Sequence, residues 1–218
     1  MSAASFPSPR RARARRGEGE RLREEILAAA ERLLLRTGDQ AAVSIRAIAD
    51  EVGVTPPSIY LHFADKAELL FAVSERNFTR LGERLAEAVA GATDPLEVLA
   101  HAGRAYIAFG LENPEHYRIM FMTKLEPEYG DDHHERMMSS ASFDLLVRVV
   151  ADAIQAGRLR HGDPVRVAAS LWASVHGVTS VLLTNPRPPC EPADLIEQTL
   201  ATLMFGVAAP PSPQAEAG

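Results

Sequence analysis

Apolar positions along this chain recur at helical spacing. Ile26, Leu27, Ala30, Leu33 and Leu34 form one stripe, which predicts a first helix over about residues 20–36, and no segment alternates as a half-buried strand would. Thr37-Gly38-Asp39 ends that stripe, with Gly38 suited to a left-handed cap. Residues 1–19 carry almost no apolar side chains and read as a disordered arm, and residues 208–218 read as a loose Pro/Ala tail.

Capping chemistry marks the later helix starts. Asp65 with Glu68, and Asp94-Pro95 with Glu97, have the spacing of an N-cap and its third helical residue. Asn113-Pro114 and Asp163-Pro164 each put an N-cap before a proline at the first helical position, where a missing N–H costs nothing. Helices are therefore expected over about 66–90, 95–112, 114–122, 134–157, 164–184 and 193–207. With short helices before residue 66, this is an all-α chain of about nine helices without internal repeats.

Composition narrows the class. The 218 residues are 46% hydrophobic and 24% charged, ordinary globular material long enough to bury a core. The net charge of −6 is unevenly spread. Residues 1–66 hold 11 Lys+Arg against 9 Asp+Glu, a balance of +2, and residues 67–218 hold 12 against 20, a balance of −8. A polyanion is expected at the N-terminal end. The single cysteine, Cys190, permits no intrachain disulfide, and the arginines at the N-terminus precede no apolar run of a signal peptide. Val167 to Asn185 lacks Asp, Glu, Lys and Arg for 19 residues, long enough for a membrane span. Ser170, Ser174, His176, Thr179 and Ser180 interrupt it, so it reads as a buried helix of a soluble, cytoplasmic protein and not as a membrane segment.

The most informative stretch is "GVTPPSIYLHF", residues 53–63. Ser44 can cap a helix over 45–51, and Val52-Gly53-Val54 makes a tight turn. Thr55 can then cap a second short helix with Pro56 and Pro57 in its first turn and a helical reading from Ser58 to Phe63. Ala49 allows close helix crossing, Gly53 accepts positive φ, and Ile59 anchors the second helix on a core. This is a helix-turn-helix, whose second helix normally enters the DNA major groove.

"SIRAIADEVGVTPPSIYLHFADKAELL", residues 44–70, resembles the DNA-binding signature of the TetR/AcrR family of bacterial transcriptional regulators. That resemblance implies a three-helix DNA-binding domain over 20–65, then a ligand-binding and dimerising domain over 66–207 whose first helix, 66–90, is the connector. "NPEHYRIMF" at 113–121 and "WASVHG" at 172–177 are similar to one subgroup, whose C-terminal domain is named for its Trp-His-Gly. The resemblance also implies roles. Tyr60, His62 and Lys66 match residues that contact operator phosphates. Thr55 and Ser58 are candidates for base or phosphate contact, and Ser44 and Arg46 reach the DNA backbone. Where the family often has a small residue early in the recognition helix this chain has Pro57, so the first-turn contact is expected to differ. Phe63 is expected in the core. Arg10, Arg11, Arg13, Arg15 and Arg16 could add minor-groove or phosphate contacts, or form a solvated tail.

The later chain offers a pocket lining. Tyr106, Phe109, Tyr117, Met120, Phe121, Phe143 and Trp172 are aromatic or methionine positions at helical spacing, with His176, His101 and His116 as the polar groups that could orient a ligand. The alternative for each is plain core, or a hydrogen-bonded structural histidine. Ala169, Ala173 and Gly177 form a row of small residues at i, i+4 and i+8. With Leu195, Thr199, Leu200, Leu203 and Val207 of the last helix, that row suggests a homodimer through helices 164–184 and 193–207. No Gly-x-Ser-x-Gly, P-loop or cysteine pair is present. "DDHHER", 131–136, lacks the i, i+4 histidine pair of a helical metal site, so neither metal nor cofactor is expected. The expected function is a homodimeric, one-component repressor that binds a near-palindromic operator in double-stranded DNA and is released by a small apolar or aromatic effector. The alternatives are an enzyme using the core histidines and a DNA-binding protein that needs no ligand.

Overall fold

The computed structural model describes residues 18–121, 141–185, 187–188 and 190–207. Among them are nine helices and no strand: α1 Glu18–Thr37, α2 Ile45–Val52, α3 Pro56–Ile59, α4 Lys66–Val89, α5 Pro95–Glu112, α6 Pro114–Phe121, α7 Ala141–Gln155, α8 Pro164–Thr184 and α9 Pro192–Val207. The chain divides into two units, Met1–Arg76 and Asn77–Gly218. The arginine arm, "DDHHER" with residues 134–140 of the expected 134–157 helix, and the tail from 208 lie outside the described residues.

In the first unit, α2 packs on α1 and α3 on α2. Their shared core is Ile26, Leu27, Leu34, Val43, Ile48, Ile59 and Phe63, all buried, with Leu69, Leu70 and Val73 from the start of α4. Phe63 is thus core as expected, and the Arg23 guanidinium lies 5.0 Å from its ring centroid. Two arginines of α1 converge on one carboxylate of α2: Arg32 Nε donates to Glu51 at 2.8 Å and Arg36 Nη2 at 2.6 Å. Both guanidiniums hold the Glu51 carboxyl below its ordinary range, the Arg36 hydrogen bond most of all.

Local signals were obeyed where the chain supplied both partners. Gly38 has φ 63° and its N–H returns to the Leu34 carbonyl at 2.8 Å. Ser44 Oγ accepts from Ala47 N–H at 3.1 Å. Asp94 caps α5, and Asp163 caps α8 by accepting from Val165 and Arg166. Asp65 accepts from Glu68 N–H at 2.8 Å, while the Glu68 carboxylate reaches back to Ala64 N–H. Asn113 departs from expectation in its side chain. Its carbonyl opens α6 as expected by accepting from Tyr117 N–H at 3.0 Å, but its side chain turns back to donate to the Phe109 carbonyl at 3.0 Å, closing α5 instead of capping α6.

In the second unit, α5 is central, packing against α6, α7, α8 and α9, and α8 packs on α7 and α9. Two glycines of α5 permit this. A Cβ on Gly110 would stand 2.5 Å from Thr179 Cγ2 of α8, and one on Gly103 would stand 2.8 Å from Leu200 Cδ2 of α9. Helix α8 is long and apolar enough to cross a membrane, and only 28% of its most apolar stretch is buried within the chain. The expectation that it is simply a buried helix therefore fails: one side packs on α5, α7 and α9, and much of the other is uncovered. Its hydroxyls satisfy themselves locally, Ser170, Ser174, Thr179 and Thr184 each donating to the carbonyl four residues earlier.

Candidate nucleic-acid interface and core cavity

The helix-turn-helix is built by short-range chemistry. Gly53 sits at φ 77°, ψ 34°, the left-handed cap a side chain would strain, and its N–H returns to the Ala49 carbonyl. Thr55 is the N-cap of α3 by backbone geometry, yet its hydroxyl makes no capping bond. A cap side chain bonds the second or third helical N–H. Pro57 removes the second, and the third, on Ser58, already donates to the Thr55 carbonyl at 2.8 Å. The Thr55 hydroxyl instead pairs with Ser58 Oγ at 3.0 Å. α3 is also shorter than the Ser58–Phe63 reading: it ends at Ile59, and residues 60–62 form a turn held by His62 and Phe63 N–H groups on the Ile59 carbonyl.

The exposed surface here carries Ser44, Arg46, Thr55, Pro57 and Tyr60, with Ser58, His62 and Lys66 half-buried. The structure thus groups all eight predicted contact residues in the first unit. It also sorts the cations. Arg32 and Arg36 are spent on Glu51, and Arg76 on Glu24. Arg46 forms no ion pair among the described residues, and Lys66 Nζ donates to the Gln40 carbonyl at 2.7 Å, leaving two of its three N–H donors. Between Tyr60 and His62 stands Leu61, 84% exposed, which the sequence reading did not single out. An apolar residue inside a polar run was the available signal.

In the second unit lies a cavity of about 130 Å³ lined by residues of α4, α5, α6, α7, α8 and α9. Its described lining is overwhelmingly aliphatic and aromatic, with Phe78, Leu85, Leu146, Val175, Leu203 and Met204 as examples. Tyr106, Phe121, Phe143 and Trp172 of the expected set line it. Phe109 and Met120 do not; they are buried in the adjoining apolar cluster. Tyr117 and His176 stand behind the wall. His176 Nδ1 lies 2.6 Å from the Tyr117 hydroxyl and 3.2 Å from that of Tyr106, and its ring stacks on Trp172 at a centroid distance of 5.2 Å. Burial pushes the His176 imidazole below its ordinary pKa, and burial pushes both tyrosines up. His101 is exposed and His116 half-buried, and neither lines the cavity. No group of three or more His, Cys, Asp or Glu among the described residues could hold a metal ion.

Residues 26–73 match the family described as bacterial regulatory proteins, tetR family, and residues 99–203 match the tetracyclin repressor-like C-terminal domain. The chain is 31% identical to the HTH-type transcriptional activator FasR of Mycolicibacterium smegmatis, over 76% of this chain and 74% of that protein. The chain belongs to the TetR family of transcriptional regulators. It is also 29% identical to the HTH-type transcriptional repressor AcnR of Corynebacterium diphtheriae, over 66% of this chain and 72% of that one. A solved protein of unknown function from Rhodococcus sp. RHA1 is 31% identical, with a TM-score of 0.70, covering 86% of this chain and 95% of that chain. Family membership makes the chain a DNA-binding regulator and not an enzyme.

Proposed function

We propose that this regulator is a ligand-responsive repressor, acting in the cytoplasm as a homodimer on a near-palindromic operator. The observation that carries the reading is the apolar cavity in the second unit, which sits in the same chain as a helix-turn-helix that exposes Ser44, Arg46, Thr55 and Tyr60. A cavity of this size and character in a well-packed core leaves contacts unmade, which binding of a small apolar molecule restores. An effector that binds one arrangement of the dimer better than the other shifts the population away from operator binding.

The dimer is proposed through α8 and α9. Ala169, Ala173 and Gly177 are half-buried or exposed, nothing among the described residues lies within 4 Å of a Cβ built on Gly177, and Val181 and Phe205 are exposed apolar residues on the same two helices. Two such faces related by a two-fold axis bury one another, and the two recognition helices then lie roughly 34–36 Å apart, one DNA turn. Relatives named as an activator and as a repressor leave the sign of the output to the operator's position relative to the promoter. An operator footprint followed by a reporter assay tests the reading: protection of two half-sites and lower transcription in the absence of ligand are expected, and higher transcription on binding would replace repression by activation.

A further inference from the structure

We propose that the core cavity takes an uncharged, compact apolar molecule bearing one hydrogen-bond acceptor, a ketone or ester carbonyl, and that the Tyr106 hydroxyl is the donor that recognises it. This deepens the effector reading above and rests on it.

The argument is a count of donors and lone pairs. Tyr106, Tyr117 and His176 form a closed trio: the two hydroxyls are 3.3 Å apart, and His176 Nδ1 faces both, at 2.6 Å from Tyr117 and 3.2 Å from Tyr106. Nδ1 has one lone pair or one proton to share. If the proton is on Nε2, which faces Ser180 Oγ at 3.4 Å, Nδ1 accepts from the nearer hydroxyl, Tyr117. If the proton is on Nδ1, it is donated to Tyr117. In both tautomers the Tyr106 proton is left with an oxygen at 3.3 Å, beyond the usual 2.5–3.0 Å of an O–H···O bond, or with nothing. Tyr106, 6% exposed, thus spends its proton on a long bond, and a better-placed acceptor in the cavity can take it over. Of the trio, Tyr106 alone lines the cavity.

The rest of the described lining sets the ligand's class. Ser142 and Trp172 are the other side chains there with an O–H or N–H, and no Asp, Glu, Lys, Arg or His is among the described lining residues. Against the described lining a carboxylate finds no counter-charge, whereas a carbonyl needs a single donor. At about 130 Å³, near the 150 Å³ of engineered cavities that hold benzene, the space suits one ring or a short chain.

Trp172 is the sole tryptophan of the chain and lies on the cavity wall, so its emission reports occupancy. The full chain is titrated with three compounds of one shape: cyclohexyl methyl ketone, ethylcyclohexane and cyclohexanecarboxylate. The ketone is expected to bind about tenfold tighter than the hydrocarbon, the carboxylate not detectably. In Tyr106→Phe the ketone should fall to the hydrocarbon's affinity while the hydrocarbon is unchanged. The infrared carbonyl stretch of bound ketone gives a second readout on the unaltered chain, moving to lower frequency if a donor meets it. Tightest binding by the carboxylate overturns the uncharged class. Equal binding of ketone and hydrocarbon, with an unshifted stretch, overturns the Tyr106 donor and leaves the apolar pocket standing. No response to any of the three overturns the effector cavity itself.

Discussion

His176 Nδ1 lies 2.6 Å from the Tyr117 hydroxyl, joining α8 to α6 through a polar contact set among aromatic rings. The imidazole is neutral there, because burial disfavours its cation. Above its ordinary value of 6.5 neither folded nor unfolded imidazole is charged, and this group adds no pH dependence. As pH falls through 6.5 the unfolded chain takes up the proton and the folded chain resists, so stability is lost downward from there. Denaturant midpoints measured from pH 7.5 to 5 should fall, by at most about 1.4 kcal/mol per pH unit from this group. His176→Gln should flatten that slope and cost about 1–2 kcal/mol at pH 7.5. An unchanged slope in the variant assigns the effect to other groups.

Lys66 and Tyr60 are expected to act on DNA through phosphate. Lys66→Ala and Tyr60→Phe should weaken operator and unrelated sequences alike, and Lys66→Ala should reduce the salt slope of binding by about one. The Lys66 bond to the Gln40 carbonyl adds a second consequence, a stability loss of about 0.5–1.5 kcal/mol seen by thermal unfolding. A shift in operator preference at constant affinity in either variant would make the contact a base contact.

Gly110 and Gly177 separate folding from assembly. Gly110→Ala drives a methyl against Thr179 and Tyr117 and should cost about 1–3 kcal/mol without changing the order of association. Among the described residues nothing lies within 4 Å of a Cβ on Gly177, so the effect of Gly177→Leu should appear mainly in self-association. Sedimentation of the leucine variant should show monomer at concentrations where the parent is a dimer; an equally tight dimer would remove α8 from the proposed interface.

Effector and operator should be reciprocal. The proposed contacts lie at 44–66 and the cavity begins at Phe78, and α4 starts at Lys66 and carries Phe78. Whatever factor the effector takes from operator affinity, typically 5- to 150-fold, the operator must take from effector affinity. Paired titrations of effector with and without DNA check this. Release of DNA by the compound, with its affinity for this chain indifferent to DNA, would mean that the release comes from binding elsewhere, on the DNA itself or on another partner.

What the sequence determined by itself was the all-α class and the DNA-binding unit. The signals there are local: Gly53, Ser44 and the paired prolines act on backbone within a few residues, so their spacing carries the geometry. Even locally, a choice between neighbours escaped it. Asn113 could cap α6 or close α5, and Thr55 had its capping partner removed by Pro57. The cavity was decided only by tertiary structure. Tyr106, Tyr117 and His176 are 11, 59 and 70 positions apart in their pairings, and nothing in helical spacing separates Tyr106 on the wall from Phe109 behind it. Their places follow from how closely α5 approaches α8 and α9, which Gly103 and Gly110 permit and which no single segment of chain encodes.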